Sequence, residues 1–161
     1  MMSDAITQRY FEDVWPGDEY IEEHQPTGDD VAEYLHINQM GRRAQTGNLD
    51  GRFTDVAGAA RQGLARPIVP GAMSMALITR LVTDWMGPLG HLRSIEVSFR
   101  RPVQHDDRLR ANALVTDASD EDGEPTATLD VFFENERGER PVQGTAVVVL
   151  PRRTQPAPVV E

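Results

Sequence analysis

Residues 67–86 form the segment that most constrains how this chain can fold. Pro70 and Gly71 stand where a helix begins, and Gly87 followed by Pro88 stands where it ends. The apolar residues between these signals cover most of the helix circumference, which predicts a central, buried helix. They are Ala72, Met73, Met75, Ala76, Leu77, Ile78, Leu81, Val82, Trp85 and Met86.

Alternating apolar and polar residues after this helix predict antiparallel strands. An acidic turn at 117–124 and a hairpin connection at 136–139 separate the later strands. One buried helix followed by such strands predicts an α+β domain in which an antiparallel sheet wraps around the helix. The predicted strands span residues 92–103, 108–115, 126–135 and 142–150.

The part of the chain ahead of the helix predicts smaller elements and a long loop. Residues 10–20 have the pattern of a strand, a Pro-Gly turn and a second short strand. Residues 27–30 offer N-cap side chains for a short helix at 31–35. Residues 39–63 are rich in glycine and weakly periodic, which predicts a loop-like region with a short helix near 56–61. Loops of this length inside a domain are usually functional.

Composition limits the chemistry and the partners. A net charge of −10 opposes binding to nucleic acid or to an anionic membrane. The sequence has no cysteine and no lysine, which excludes thiolate and Schiff-base catalysis, and its histidines show no metal-ligand spacing. With no signal-peptide pattern at residues 1–6 and no membrane-span pattern, we expect a cytoplasmic protein.

The domain organisation follows from the distribution of these patterns. We expect a flexible N-terminus at residues 1–9, one domain at 10–150 and a Pro-rich, disordered tail at 151–161.

Several segments resemble MaoC-like (R)-specific enoyl-CoA hydratases. Residues 66–73 (RPIVPGAM) are similar to the RPIVHGM turn that opens the helix in that family. Residues 11–18 (FEDVWPGD) resemble its first strand and turn, and residues 94–103 (SIEVSFRRPV) with 106–107 resemble its long strand and the turn after it. The resemblance implies a hotdog fold that pairs as a double hotdog. Residues 82–88 (VTDWMGP) are also similar to small MaoC-like subunits of actinobacterial steroid side-chain degradation.

The resemblance also implies a ligand, an acyl-CoA or acyl-carrier thioester, and no cofactor. In the family a glycine N–H at the helix start polarises the thioester carbonyl, and Gly71 occupies that position between Pro70 and Ala72. The alternative is that Pro70 and Gly71 only make a tight helix start. Our candidates for an acyl pocket are Phe53, Met73 and Leu77. Arg61 and Arg66 could contact CoA phosphates, although an arginine on a loop is more often simply solvated.

The catalytic motif of the family is where this sequence departs. The family carries an Asp and a His in a D-x-N-P-x-H segment, and an ungapped count from residue 66 places Asn48, Asp50 and Phe53 at its D, N and H. Neither Asn nor Phe exchanges a proton near neutral pH. Asp50 or Asp55, with His36 as partner, could replace the missing pair, but loop aspartates more often form turns and His36 could simply cap its helix.

Three functions therefore stay open. The chain could be a hydratase or dehydratase with nonstandard acid/base residues. It could be a catalytically silent subunit that pairs with an active hotdog partner, for example in steroid side-chain or fatty-acyl degradation. For the oligomer we expect a homodimer or a heteromer with another hotdog protein. It could also be a thioesterase or a specialised natural-product enzyme. The family favours a hydro-lyase, whereas the missing Asp/His pair favours the silent subunit.

Overall fold

Five antiparallel strands curve around one long helix in the computed structural model, which describes residues 7–38 and 51–154. The strands are β1 (Glu19–His24), β2 (His91–Phe99), β3 (Leu109–Ser119), β4 (Thr126–Asn135) and β5 (Val142–Val149). Their order in the sheet is β1-β3-β4-β5-β2, and every neighbouring pair is antiparallel. The helices are α1 (Gly28–Ile37), α2 (Val56–Arg61) and α3 (Gly71–Met86). This arrangement confirms the predicted hotdog architecture.

The long helix α3 begins after Pro70 and ends at Gly87, as the sequence predicts. Gly87 has φ 79°, a left-handed conformation that glycine adopts without strain. One side of α3 packs on the concave face of the sheet, and each large aliphatic side chain buried there contributes about 1.5–3 kcal/mol. The buried residues of that side are Ser74, Ile78, Leu81, Val82 and Trp85.

The prediction that α3 is buried nearly all round is wrong for the single chain. Ala72 and Ala76 are exposed, and Met73, Met75 and Leu77 are only half-buried. The physical reason is that the five-stranded sheet covers one side of the helix, so that the opposite side of its first two turns stays uncovered.

The two shorter helices have clear capping signals. Thr27 and Asp30 form a capping box at the start of α1, in which each side chain bonds the other residue's backbone N–H. Asp55 caps α2, and the bounds of that helix match the prediction.

Residues 11–13 depart from the predicted first strand, because they form a 3₁₀ turn (Phe11–Asp13). The Phe11 N–H donates to the Pro151 carbonyl at 2.9 Å, a partner at the other end of the chain that local sequence does not reveal. The second predicted strand is correct and forms β1 after the Pro16-Gly17 turn.

The segment after β2 crosses back toward the start of α3. The Val69 N–H donates to the Val103 carbonyl at 2.7 Å, and Ile68 pairs with Gln104 in an isolated bridge. His105, in the turn that follows this bridge, is buried, with only 8% of the residue exposed. These contacts place the end of β2 beside the first turn of α3.

Both margins of the domain make contacts in the described part of the chain. Gln8 and Arg9 bond the carbonyl of Met86, and Arg152 pairs with Glu12 and Asp120. The boundaries at residues 10 and 150 stay predictions. Over residues 7–38 and 51–154, no helix is both long and apolar enough to cross a membrane.

Candidate functional site

A groove of about 280 Å³ opens at the N-terminus of α3. Three parts of the chain line it: the turn ahead of α3 with the first helical turn, the end of β2 with residues 100–103, and the start of β5. The lining includes Val69, Gly71, Ser74, Phe99 and Arg100. The groove is therefore mostly apolar, with a few polar groups beside the helix start.

The first N–H groups of α3 are free to donate into this region. Pro70 is the N-cap residue, and its side chain offers no acceptor. Its carbonyl accepts from Met73 N–H at 3.0 Å and from Ser74 N–H at 3.1 Å. In the part of the chain that the structure describes, no acceptor bonds the N–H groups of Gly71 and Ala72. Together with the helix dipole, these two donors favour a partial negative charge.

The ring of Phe99 forms the wall opposite this turn. A Cβ placed on Gly71 would lie 3.4 Å from Phe99 Cε1, which is ordinary van der Waals distance. Phe99 is 53% exposed in the single chain. The first residue of α3 thus lies beside a flat apolar surface.

The predicted acid/base candidates do not meet in the described groove. Asn48 and Asp50 lie outside the described residues. His36 is exposed near the end of α1. The Asp55 carboxylate accepts from Ala57 N–H at 3.2 Å and from Gly58 N–H at 2.9 Å, so it caps α2. Neither His36 nor Asp55 lines the groove.

The predicted acyl-pocket residues lie close to the core rather than in the groove lining. Phe53, Met73 and Leu77 are partly buried and pack against the main hydrophobic cluster. The 3₁₀ turn that carries Phe53 is tied to the turn ahead of α3 by a bond of 2.8 Å from Ile68 N–H to the Arg52 carbonyl. The end of the predicted catalytic loop is therefore held beside the turn that leads into α3.

The two predicted phosphate contacts have different surroundings. Arg66 donates to Gln104 Oε1 at 3.0 Å, to the His105 carbonyl at 2.8 Å and to Asp107 Oδ1 at 2.9 Å. These three bonds tie the segment ahead of α3 to the segment ahead of β3. Arg61 is exposed at the end of α2.

Sequence reasoning missed Arg100 and Arg101, which follow β2 and line the groove. The Gln143 amide, with its oxygen turned toward Arg100, accepts from Nη2 and Nε at 3.2 Å each. This partner is neutral, whereas Arg101 pairs with the Glu139 carboxylate at 3.1 Å. The sequence alone could have indicated both arginines, because they are adjacent and lie on the segment that resembles the family's long strand.

A second group of titratable side chains lies on β1, away from the groove. Tyr20 donates to Glu22 Oε1 at 3.0 Å, and Arg80 of α3 lies 3.6 Å from Glu22 Oε2. Burial and the Glu22 carboxylate raise the pKa of Tyr20. Within residues 7–38 and 51–154, no group of three or more His, Asp or Glu side chains could hold a metal ion.

Comparison with known proteins identifies a family model and several solved structures that are similar to this chain. Residues 43–133 match the family model described as the MaoC like domain. No curated protein gave a significant match. Among solved structures, an (R)-hydratase from A. caviae involved in PHA biosynthesis is similar at 25% identity and a TM-score of 0.72, covering 86% of this chain and 98% of that one.

Two further structures share the fold at lower identity. The (R)-hydratase PhaJ1 from Pseudomonas aeruginosa has 18% identity and a TM-score of 0.74, covering 94% of each chain. The ChsH1-ChsH2 complex from Mycobacterium tuberculosis contains a chain with 20% identity and a TM-score of 0.69, covering 84% of this chain and 98% of that one.

Proposed function

Because this chain belongs to the MaoC-like domain family, we propose that it binds an enoyl or 3-hydroxyacyl thioester and serves in a hydratase or dehydratase reaction. The observation that carries the proposal is the pair of unbonded N–H groups at Gly71 and Ala72 beside an apolar groove. The likeness to an (R)-hydratase at 25% identity supports the same reaction class.

The Gly71 N–H would bind the carbonyl oxygen of the thioester. Water adds to the double bond of an enoyl thioester as negative charge moves to this oxygen, and dehydration passes through the same charge distribution. A fixed donor at a helix N-terminus stabilises that charge, and one such donor is worth about 3 kcal/mol. The Phe99 ring would cover the flat thioester plane from the opposite side.

Proton transfer needs a further group. The described lining of the groove holds arginines but no carboxylate and no imidazole, and arginine does not release a proton near neutral pH. Asp50 is our candidate for this role in an autonomous enzyme.

The second candidate is a catalytically silent subunit. The described lining of the groove favours it, because that lining has no carboxylate and no imidazole. The uncovered side of the first turns of α3, with Ala72 and Ala76 exposed, is available to another hotdog chain. The ChsH1-ChsH2 complex gives a precedent for a chain of this fold in a complex. In this case the partner would supply the acid/base pair.

The carrier of the acyl group would lie toward Arg100. This arginine lines the groove and bonds only a neutral amide among the described residues, so its charge can serve a phosphate. Arg66 is a weaker candidate because all of its recorded bonds hold the fold together.

The test uses the purified chain with crotonyl-CoA, a long-chain enoyl-CoA and a steroid-derived enoyl-CoA. If the wild type reduces the enoyl-thioester absorbance and Asp50→Asn does not, the result supports an autonomous hydratase. Binding without turnover supports the silent subunit, and a stable active heteromer whose activity survives Asp50→Asn would confirm it. Release of free CoA, detected with a thiol reagent, would favour a thioesterase instead. Absence of binding to all three thioesters contradicts the proposal.

A further inference from the structure

We infer that the Ser74 hydroxyl is a second hydrogen-bond donor to the carbonyl oxygen of the ligand, beside the Gly71 N–H. This inference rests on the proposed thioester-binding function and extends it by one residue. It starts from an unusual feature of the groove, a buried polar side chain in an apolar wall.

Ser74 is 2% exposed, and it is one of the residues that line the groove. It lies three positions after Gly71 in α3, and residues three apart lie on the same face of a helix. The hydroxyl is therefore on the side of the helix from which the Gly71 N–H borders the groove.

None of the hydrogen bonds within residues 7–38 and 51–154 involves the Ser74 hydroxyl, and its oxygen is not one of the fully buried atoms without a partner, so it is accessible from the groove that Ser74 lines. The threonines of the same helix behave differently. Thr79 Oγ1 donates to the Met75 carbonyl at 2.8 Å, and Thr83 Oγ1 donates to the Arg80 carbonyl at 3.1 Å. Both threonine hydroxyls therefore bond the helix backbone, whereas no such bond is made by the Ser74 hydroxyl.

A hydroxyl that borders a groove and bonds no described residue can donate to a group that enters the groove. Around Ser74 the groove is apolar, with Val69, Val103 and Val142 in its lining. Low local polarity strengthens a hydrogen bond made there. A ligand that brings an acceptor oxygen into the groove would satisfy this hydroxyl.

A thioester carbonyl fits that requirement better than the rest of an acyl chain. Its oxygen has two lone pairs and can accept from two donors at once. With donors from the Gly71 backbone and the Ser74 side chain, the growing negative charge in the reaction would be held from two directions. Losing one donor of this kind lowers kcat by about 10²-fold in other acyl-group enzymes.

The experiment measures the carbonyl stretch of bound butyryl-CoA and crotonyl-CoA, both labelled with ¹³C at the carbonyl, by difference infrared spectroscopy. In the wild type we expect the stretch to lie below that of the free thioester. In Ser74→Ala it should move back toward the free value, and in Ser74→Cys, which keeps the volume with a weaker donor, it should lie between the two. Thr79→Ala removes a hydroxyl that the helix already uses and is the matched control, with an unchanged stretch.

Thermal unfolding distinguishes this role from a structural one. Removing a hydroxyl that bonds no described residue should leave the Tm of Ser74→Ala equal to or above that of the wild type. If the carbonyl stretching frequency of the bound thioester is lowered equally in the wild type and in Ser74→Ala, the inference is overturned and the proposed function stays intact. If neither thioester binds the wild type, the proposed function fails, and the inference fails with it.

Discussion

The ring of Phe99, the last residue of β2, lies against Gly71, the first residue of α3, with 3.4 Å between Phe99 Cε1 and the position of a Cβ on Gly71. A strand end and a helix start thus form one narrow opening. Gly71, whose N–H bonds no described acceptor, and the apolar ring line the same groove, which is why predictions about ligand binding concentrate there.

Gly71→Ala should separate binding from folding. The added methyl group meets the Phe99 ring at ordinary contact distance, so the Tm should stay within a few degrees of the wild type. The same methyl group fills space beside the N–H, and the affinity for butyryl-CoA should fall roughly tenfold, or about 1.4 kcal/mol. Isothermal titration calorimetry measures this. Wild-type affinity in the variant would contradict the assignment of Gly71 as the carbonyl donor.

Arg100→Gln should weaken binding of CoA thioesters and reduce its salt dependence, because it removes a cation that has only a neutral partner, Gln143. Binding of the uncharged butyryl-pantetheine should not change. Arg93→Gln, on β2 and paired with Glu124, is the matched control. Equal losses for both ligands would mean that Arg100 shapes the groove rather than holding a phosphate.

Gly58→Ala should disturb the end of the predicted catalytic loop. A Cβ on Gly58 would lie 2.7 Å from the Gly51 Cα, so one backbone segment must move. We expect a loss of about 1–3 kcal/mol in the free energy of unfolding, measured with urea, together with weaker butyryl-CoA binding. Ala60→Ser, at an exposed position on the same helix, should change neither quantity. An unaltered urea midpoint for Gly58→Ala would show that the Gly51 segment yields freely.

Arg66→Ala should act on stability rather than on affinity. It breaks bonds to Gln104, to the His105 carbonyl and to Asp107, and leaves a carboxylate that is only 8% exposed without its cation. A loss of about 1–3 kcal/mol in the free energy of unfolding follows. Arg61→Ala, at an exposed position, should cost almost nothing. If Arg66→Ala instead leaves stability intact and abolishes CoA binding, the sequence-based assignment of Arg66 to the CoA phosphates is the better one.

Asp30→Asn should reveal an acid-sensitive part of the stability. Bonds from the backbone and the side chain of Thr27 lower the pKa of Asp30 below its ordinary value of 3.8. A lowered pKa in the folded state means that the stabilisation is present above the unfolded pKa and is lost as the pH falls through the folded pKa. The Tm difference between wild type and Asp30→Asn should therefore shrink between neutral pH and about pH 2. A difference that is constant with pH would show that the charge of Asp30 has no role in the cap; Asp29→Asn is the neighbouring control.

Local signals predicted most of the elements. The helix α2 and the strand β4 have the predicted bounds, and α3 begins and ends at the predicted Pro-Gly and Gly-Pro pairs. These features depend on turn residues and on short-range periodicity, both of which are local properties of the sequence. The family resemblance rested on the same segments.

Tertiary contacts decided the rest. The turn at residues 11–13 and the burial of His105 depend on partners far along the chain, Pro151 for the turn and Pro67 for the His105 backbone. Likewise, the importance of Ser74 and Arg100 comes from a groove that forms only when the end of β2 meets the start of α3. Asn48 and Asp50 stay predictions from the sequence.

By itself, the sequence determined that a largely apolar helix with a Pro-Gly start lies under an antiparallel sheet, because periodicity and turn chemistry act over a few residues. The tertiary structure alone decided which groups share the space at that helix start. Phe99 lies 28 positions after Gly71 in the chain, and only the return of β2 along the sheet brings its ring to that helix start. No local pattern encodes such a contact, since it depends on the packing of the whole sheet against the helix.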